Sequence, residues 1–126
     1  MQVVAGMDSR PDLRPRARKF ALACLDFART IPKTIETRDF ISQFLRSSSS
    51  VSFNYSAARR ARSRAEFIAK LGVVVEEADE TLGWLEFFRD GKIATSQALL
   101  TEANELCAIF NAALLTARRN RNKRAP

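Results

Sequence analysis

Apolar residues recur every three or four positions along most of the chain, which is the period of an amphipathic α-helix. Four such segments are predicted, from about Leu13 to Thr30, Ile35 to Arg60, Arg64 to Asp90 and Ser96 to Arg119. The connections between them are short, so consecutive helices are expected to be antiparallel neighbours. The pattern therefore predicts an all-α fold, an antiparallel up-down-up-down four-helix bundle.

Capping residues mark the predicted helix ends. Ser63 is followed three positions later by Glu66, the spacing of a capping box. Gly91 stands where the third helix should stop, as glycine often does at a helix C-terminus. The predicted N-caps are Asp12, Thr34, Ser63 and either Thr95 or Ser96.

One stripe of each helix is predicted to form the core. Ser47–Ser50 is a poor helix-forming run, but the apolar period continues in phase on both sides of it, so a helix is preferred to a linker. The two cysteines fall within the apolar patterns and are expected to be reduced core residues. The predicted core positions are Leu13, Ala17, Phe20, Cys24, Phe27 and Ile31; Ile41, Phe44, Ser48, Val51, Tyr55 and Ala58; Phe67, Leu71, Val74, Ala78, Leu85 and Phe88, flanked by Ile68, Val75 and Leu82; and Leu99, Ala103, Leu106, Phe110 and Ala113, flanked by Leu100, Cys107 and Leu114.

The turn near Ala61–Ser63 sets a register between the second and third helices. Facing residues should have numbers that sum to roughly 126, because both helices rise equally per residue. Arg46 is then predicted to form a structural salt bridge with Glu77 or Glu80, within a subunit or between subunits. Gly72 is predicted to face the second helix closely.

The third helix has more apolar residues than one buried face needs. Val73, Trp84 and Phe87 lie about 100° round the helix from the core stripe, with Glu77 and Glu80 between them. Phe40 and Phe53 are similar extras on the second helix. Such aromatics can shield a core, but several on one face favour a protein interface. The predicted subunit interface comprises Val73, Glu77, Glu80, Trp84 and Phe87.

The net charge of +7 is concentrated at the two ends of the sequence. Residues 1–19 carry a net +3, residues 20–117 a net −1, and residues 118–126 a net +5. We expect a flexible basic segment over 1–11, the bundle over 12–119 and a basic tail over 120–126. Basic arms of this kind either contact nucleic acid or only keep the protein soluble. The arginines near the turn between the second and third helices could bind phosphate or could instead interact with the C-terminus of the second helix. The candidate nucleic-acid-binding residues are Arg59, Arg60, Arg62, Arg64, Arg118, Arg119 and Arg121.

Several kinds of chemistry have no candidate residues in the sequence. The chain has no histidine, and its two cysteines are far apart, so no zinc motif or histidine-based catalytic site can be built. Glu76, Glu77, Asp79 and Glu80 span more than one helix face and are expected to form a solvated surface rather than a metal site. The chain shows neither a signal peptide nor a long apolar run. We expect a cytoplasmic protein that is not an enzyme and needs no cofactor or membrane.

Short stretches along the chain resemble a known family. They include LRS at 45–47, NY at 54–55, FIAKL at 67–71, EADET at 77–81, WL at 84–85 and EANEL at 102–106. Together they resemble the bacterial four-helix-bundle proteins encoded in intervening sequences of large-subunit ribosomal RNA genes. The resemblance implies a homopentamer. It also implies kinship with accessory proteins of diversity-generating retroelements, which engage a reverse transcriptase and nucleic acid.

Two functional hypotheses remain open from the sequence. The first is a homo-oligomeric protein that associates with RNA or DNA through its basic surface and termini. The second is an adaptor that binds a protein partner through its outer helices and has no nucleic-acid role. Salt-sensitive binding to a polyanion would distinguish the two, because phosphate contacts weaken steeply with salt.

Overall fold

The computed structural model describes residues 11–124 of the chain, which fold into four helices. They are α1 (Arg14–Arg29), α2 (Ile35–Arg59), α3 (Arg64–Asp90) and α4 (Gln97–Arg124). No strand occurs within that range, so the prediction of an all-α chain with four helices is confirmed. The basic N-terminal segment predicted for 1–11 falls, apart from its last residue, outside the described residues.

The predicted caps of α2 and α3 are present in the structure. Thr34 Oγ1 accepts a hydrogen bond from Thr37 N at 3.1 Å, and Thr37 Oγ1 accepts one from Thr34 N at 2.9 Å. Ser63 Oγ accepts from Glu66 N at 3.1 Å, but the Glu66 carboxylate turns to Arg62 N instead of closing the predicted box. The reciprocal capping box therefore lies at α2 and not at α3.

The start of α1 differs from the prediction. Its N-cap is Leu13, with no side-chain cap. Asp12 accepts hydrogen bonds from the backbone N–H and the guanidinium of Arg14. The charged pair with Arg14 draws the Asp12 carboxylate away from the more distant N–H groups that it was expected to cap.

The α3–α4 connection begins and ends at the predicted residues, whereas α4 is longer than predicted. Gly91 follows α3 as predicted but has an ordinary φ of −79°, and Lys92 adopts the left-handed conformation at φ 57°. Ser96 caps α4 by accepting from Leu99 N at 3.2 Å. At its other end α4 continues to Arg124, because no glycine or proline interrupts it after Ala117. The segment predicted as a tail over 120–126 is therefore helical as far as residue 124.

The serine run lies inside α2, as predicted. Ser47 Oγ donates to Phe44 O at 3.1 Å and Ser49 Oγ donates to Leu45 O at 2.8 Å, so these hydroxyls are satisfied within the helix. Ser47 is fully buried and its hydroxyl meets that of Thr81 on α3 at 3.0 Å. The small side chains thus allow polar contact between two helix backbones inside the core.

The core follows the predicted stripes closely. Among the predicted stripe and flanking positions, only Leu13, Phe27, Val75, Leu82 and Cys107 are partly exposed. The rings of Phe27, Phe44 and Phe88 pack against one another with centroids 5.4–6.4 Å apart. Both cysteines are free in the structure, Cys24 buried and Cys107 half-buried.

Each helix has two neighbours. Among residues 11–124, α2 packs against α1 and α3, and α4 packs against α3 and over a shorter length against α1. The backbones of α1 and α3 lie diagonally across the bundle, and the two helices meet through core side chains such as Phe27 and Phe88. Side-chain pairs between α2 and α3 include Phe40 with Trp84, Arg46 with Glu80, and Ser47 with Thr81.

The prediction for Gly72 is wrong. A Cβ atom added to Gly72 would have no neighbouring atom within 4 Å, and the same holds for Gly83. The sum of residue numbers predicts which positions on α2 and α3 lie at the same height, but not which way each position points around its helix. Gly72 points to the outer side of α3. Two mid-helix glycines are therefore left facing open space.

Helix α4 has the composition of a membrane-spanning segment by length and hydropathy alone. An 18-residue window within Gln97–Asn122 has a mean hydropathy of 1.3, contrary to the expectation that no apolar stretch approaches a span. In the structure this helix contributes Leu99, Leu106 and Phe110 to the core, among other residues. Packing against α3 and α1 buries 39% of that window and so accounts for part of its apolar composition.

Candidate nucleic-acid and subunit interfaces

The start of α1 and the end of α2 meet at one end of the molecule. Leu13 N donates to Tyr55 Oη at 3.3 Å, and Asp12 Oδ1 lies 3.9 Å from Arg59 Nε. Only four residues separate the end of α2 from the start of α3, so α3 starts at this same end. We call this region the basic end, because most of its charged side chains are arginines.

Arg60 lies between two shallow surface hollows at the basic end. Both Arg60 and Arg62 are exposed, and neither is engaged in an ion pair within residues 11–124. Their side chains are therefore available to a ligand phosphate. One hollow is lined by Arg14, Arg18 and Arg60 with Ser52, Phe53 and Ser56; the other is lined by Arg60, Arg62 and Lys70 with Ala57 and Glu66.

Two of the residues predicted to bind nucleic acid, Arg59 and Arg64, are less exposed to solvent than the other arginines of the turn. The Arg59 side chain is only 16% exposed and approaches Asp12. Arg64 is half-buried, and its Nη1 atom is shielded from solvent. Both residues sit on the inner side of the helix ends, where the guanidinium stems pack against the bundle. The exposed cations of the turn are Arg60 and Arg62.

The last turns of α4 carry further exposed arginines. Arg118, Arg119 and Arg121 are all exposed. The ring of Phe110 packs against that of Tyr55, with centroids 5.4 Å apart, which places the middle of α4 beside the C-terminal part of α2. Helix α4 continues for 14 residues beyond Phe110, a rise of about 21 Å.

The predicted salt-bridge residues lie together between α2 and α3. Arg46 Nη1 is 3.0 Å from Glu77 Oε2, and Arg46 Nη2 is 2.7 Å from Glu80 Oε2. These carboxylates raise the pKa of the Arg46 guanidinium, Glu77 having the largest effect. The Glu77 side chain is only 14% exposed, so its carboxylate on α3 faces α2 of the same chain rather than solvent. Arg46 and Glu77 thus link two helices of one chain.

The surplus aromatic residues form a cluster on the α2–α3 surface. Phe40, Trp84 and Phe87 have ring centroids 5.2–5.6 Å apart, and Trp84 also contacts the buried Phe88. The structure thus joins Phe40 to two residues of the predicted interface. Phe87 is 47% exposed and Val73 is 38% exposed, whereas Trp84 is half-buried.

A groove between α1 and α2 was missed from the sequence. It has a volume of about 270 Å³, and Phe53 at its edge is 69% exposed. The signal was present, because Leu22 and Leu25 fall outside the predicted core stripe of the first helix. We call it the α1–α2 groove; it is lined by Arg18, Ala21, Leu22, Leu25, Leu45, Ser48, Ser49, Ser52 and Phe53.

The thiols and carboxylates of the described residues do not converge on one point. Burial raises the pKa of Cys24 to about 12, and burial with nearby carboxylates raises that of Cys107 to about 11. Within residues 11–124 no group of three or more histidine, cysteine or acidic side chains is placed to hold a metal ion. Glu76 and Asp79 border a hollow with Cys107 and are exposed.

Comparison with known proteins identifies the family. The sequence model described as "23S rRNA-intervening sequence protein" matches residues 12–112. The chain belongs to the 23S rRNA-intervening sequence protein family. The resemblance inferred from the short motifs is thereby confirmed, and the match covers all of α1–α3 and more than half of α4.

A solved structure agrees with this membership in the 23S rRNA-intervening sequence protein family. It is a Bacteroides thetaiotaomicron protein of unknown function from the S23 ribosomal protein family. Its TM-score is 0.71 at 25% identity, over 81% of this chain and 94% of the other. Curated protein sequences give no match. The comparisons establish the family and do not assign a function.

Proposed function

We propose that this family member is a non-catalytic, self-assembling cytoplasmic protein that binds RNA or DNA through its basic end. The observation that carries the proposal is the convergence of exposed arginines from separate parts of the sequence. The exposed Arg18 of α1 shares a surface hollow with Arg60, which follows α2, and Arg60 shares another with Arg62. Arg14 also lines the first hollow, but it is half-buried and paired with Asp12. Exposed phosphate is the ligand that such a surface attracts with little sequence selectivity.

The proposed architecture is an antiparallel up-down-up-down bundle. The pairs Phe40 with Trp84 and Ser47 with Thr81 support antiparallel α2 and α3, because the residue number falls on α3 as it rises on α2. The short turn at 60–63 between the two helices supports the same arrangement. The contact of Tyr55 with Phe110 supports an α4 that runs back toward the basic end. Its terminal arginines would then join Arg60 and Arg62.

Self-assembly, with a pentamer as the proposed size, would multiply weak phosphate contacts. The exposed Phe87 and Val73 support an interface on α3, and family resemblance supports the number five. Each subunit would present its basic end to the same nucleic acid, so that avidity strengthens binding without new contacts.

A paired substitution tests the basic end. Arg60→Ser/Arg62→Ser removes two exposed cations, and the control Lys33→Ser/Arg38→Ser removes two exposed cations from the other end of the 25-residue α2. Binding to a labelled single-stranded RNA is measured by fluorescence anisotropy across a salt series. We expect the first variant to bind more weakly and to lose about 1.4 from the salt slope, while the control stays close to wild type. Equal weakening by both pairs would refute a localised site.

One observation favours a protein adaptor as the second candidate. The aromatic cluster of Phe40, Trp84 and Phe87 is partly exposed and lies far along α2 from Arg60. Aromatic residues are enriched where proteins bind one another. A wild-type protein that binds no RNA even at low salt would leave the adaptor as the better account.

A further inference from the structure

The α1–α2 groove and the outer side of α3 are chemically complementary. The groove is apolar along Leu22, Leu25, Leu45 and Phe53, and Arg18 stands at its edge. Leu22 is 52% exposed and Phe53 69% exposed, which are high values for residues on one continuous surface. Exposed apolar side chains grouped in this way are typical of a docking site.

The outer side of α3 offers the opposite charge. We define the α3 outer face as Gly72, Val73, Glu76, Gly83 and Phe87, which lie within about 100° of one another on the helix. Gly72 and Gly83 leave room for the close approach of another molecule. Glu76 is exposed and has no ion-pair partner within residues 11–124, and neither has Arg18 on the groove.

Charge is also divided between the two helices as a whole. Helix α1 has five basic residues and one acidic residue, a net of +4, whereas α3 has three basic and seven acidic residues, a net of −4. The backbones of α1 and α3 lie diagonally across the bundle, and within residues 11–124 the ion pairs of α1 are made with Asp12, Asp26, Glu102 and Glu105 rather than with the acids of α3. The charges of α1 and α3 can neutralise each other between two copies.

We infer that the α3 outer face of one copy docks into the α1–α2 groove of a second copy. This inference rests on the proposed self-assembly and specifies its geometry. Two different surfaces meet, so each docked subunit still has one free groove or one free face. Such head-to-tail contact propagates from copy to copy and closes into a ring when the rotation allows.

Complementation between two variants tests the inference directly. The groove variant is Leu22→Glu/Phe53→Glu, and the face variant is Gly72→Arg/Glu76→Arg, placed where the structure has open space. Asp39→Arg/Thr101→Arg is a control with the same change in charge as the face variant, at two exposed positions outside both surfaces. Light scattering after size exclusion gives the mass of each protein alone and of an equimolar mixture.

Head-to-tail docking makes a specific prediction for the mixture. Each variant alone should be a 14.2 kDa monomer, and the control should assemble like wild type. The mixture should contain a heterodimer of twice that mass, because the groove variant keeps an intact face and the face variant keeps an intact groove. A mixture that remains monomeric, or either variant assembling like wild type alone, overturns the inference.

Milder changes cover the case in which a double variant fails to fold. Phe53→Ser alters a side chain that is mostly in solvent, and Gly72→Arg alone adds a side chain where nothing lies within 4 Å. Each should raise the dissociation constant of the assembly about tenfold or more, as loss of a central interface contact does. Unchanged dissociation constants overturn the inference and leave self-assembly standing, whereas a wild-type monomer refutes self-assembly itself.

Discussion

The buried hydroxyl pair between α2 and α3 allows a quantitative test of the packing. Ser47 is 0% exposed and Thr81 is 0% exposed, and their hydroxyl oxygens are 3.0 Å apart. Ser47 donates its proton to Phe44 O at 3.1 Å, and the single proton of Thr81 is shared between Ser47 Oγ and Glu77 O, which lies 2.8 Å from Thr81 Oγ1. Removing one hydroxyl therefore leaves its partner with another hydrogen bond.

The expected cost of each substitution follows from that geometry. Thr81→Val keeps the shape of the side chain and removes the hydroxyl whose one proton is shared between Ser47 Oγ and Glu77 O, so it should lower the free energy of unfolding by about 1 kcal/mol. Ser47→Ala should cost a similar amount. A loss of this size lowers Tm by about 4 °C for a domain of this length. The double variant should cost about 0.5–1 kcal/mol less than the sum, because the bond between the hydroxyls is lost only once.

Urea denaturation of the four proteins, followed by circular dichroism at one protein concentration, measures this coupling. Fixed concentration is needed because assembly would make stability depend on it. Additive effects within about 0.3 kcal/mol would refute the buried contact. A fall of several kcal/mol for Thr81→Val would show instead that Ser47 has no second partner.

Three further outcomes are expected. Gly72→Ala should raise the free energy of unfolding by about 0.5–1 kcal/mol, because alanine is the better helix former and its methyl group enters open space. A lower Tm for this variant in a thermal melt would contradict the open space and indicate that Gly72 packs closely against α2. At pH 8 both thiols should react slowly with a disulfide reagent in the folded protein, since pKa values of about 12 for Cys24 and about 11 for Cys107 reduce the thiolate roughly 1000-fold and 100-fold; reaction at the unfolded rate would contradict their burial. The guanidinium of Arg16 lowers the pKa of Glu102, so this carboxylate stabilises the fold above its ordinary pKa and the contribution is lost as pH falls; Glu102→Gln should therefore flatten the acid limb of the stability curve, and an unchanged acid limb would argue against the pair.

The helices and most of the core were predictable because burial imposes a period on the sequence. Phe44, Leu71 and Leu106 repeat with that period and are fully buried. The N-caps at Thr34 and Ser63 were also readable, since capping requires particular side chains next to an apolar repeat. The second residue of the α2 capping box, Thr37, could not be predicted, because a threonine three residues after the cap is a less distinctive signal than the Glu66 that follows Ser63.

Features that depend on two helices at once were harder to predict. The outward direction of Gly72 depends on how α3 is rotated against α2, which a sum of residue numbers does not specify. The α1–α2 groove needs Leu22 and Phe53 to be neighbours in space although they are 31 positions apart. Arg59 and Arg64 were counted with Arg60 and Arg62 because their charges are alike, and only the helix geometry separates buried from exposed guanidinium groups.

The salt dependence of RNA binding by the wild-type protein tests the central claim most directly. Anisotropy of a labelled single-stranded RNA gives the association constant at each salt concentration, and its logarithm is plotted against that of the salt concentration. Exposed cations at Arg60, Arg62, Arg118, Arg119 and Arg121 predict a slope of roughly −3.5 per subunit, at about −0.7 for each phosphate contact. No binding at low salt, or a slope near zero, would contradict a basic nucleic-acid-binding end.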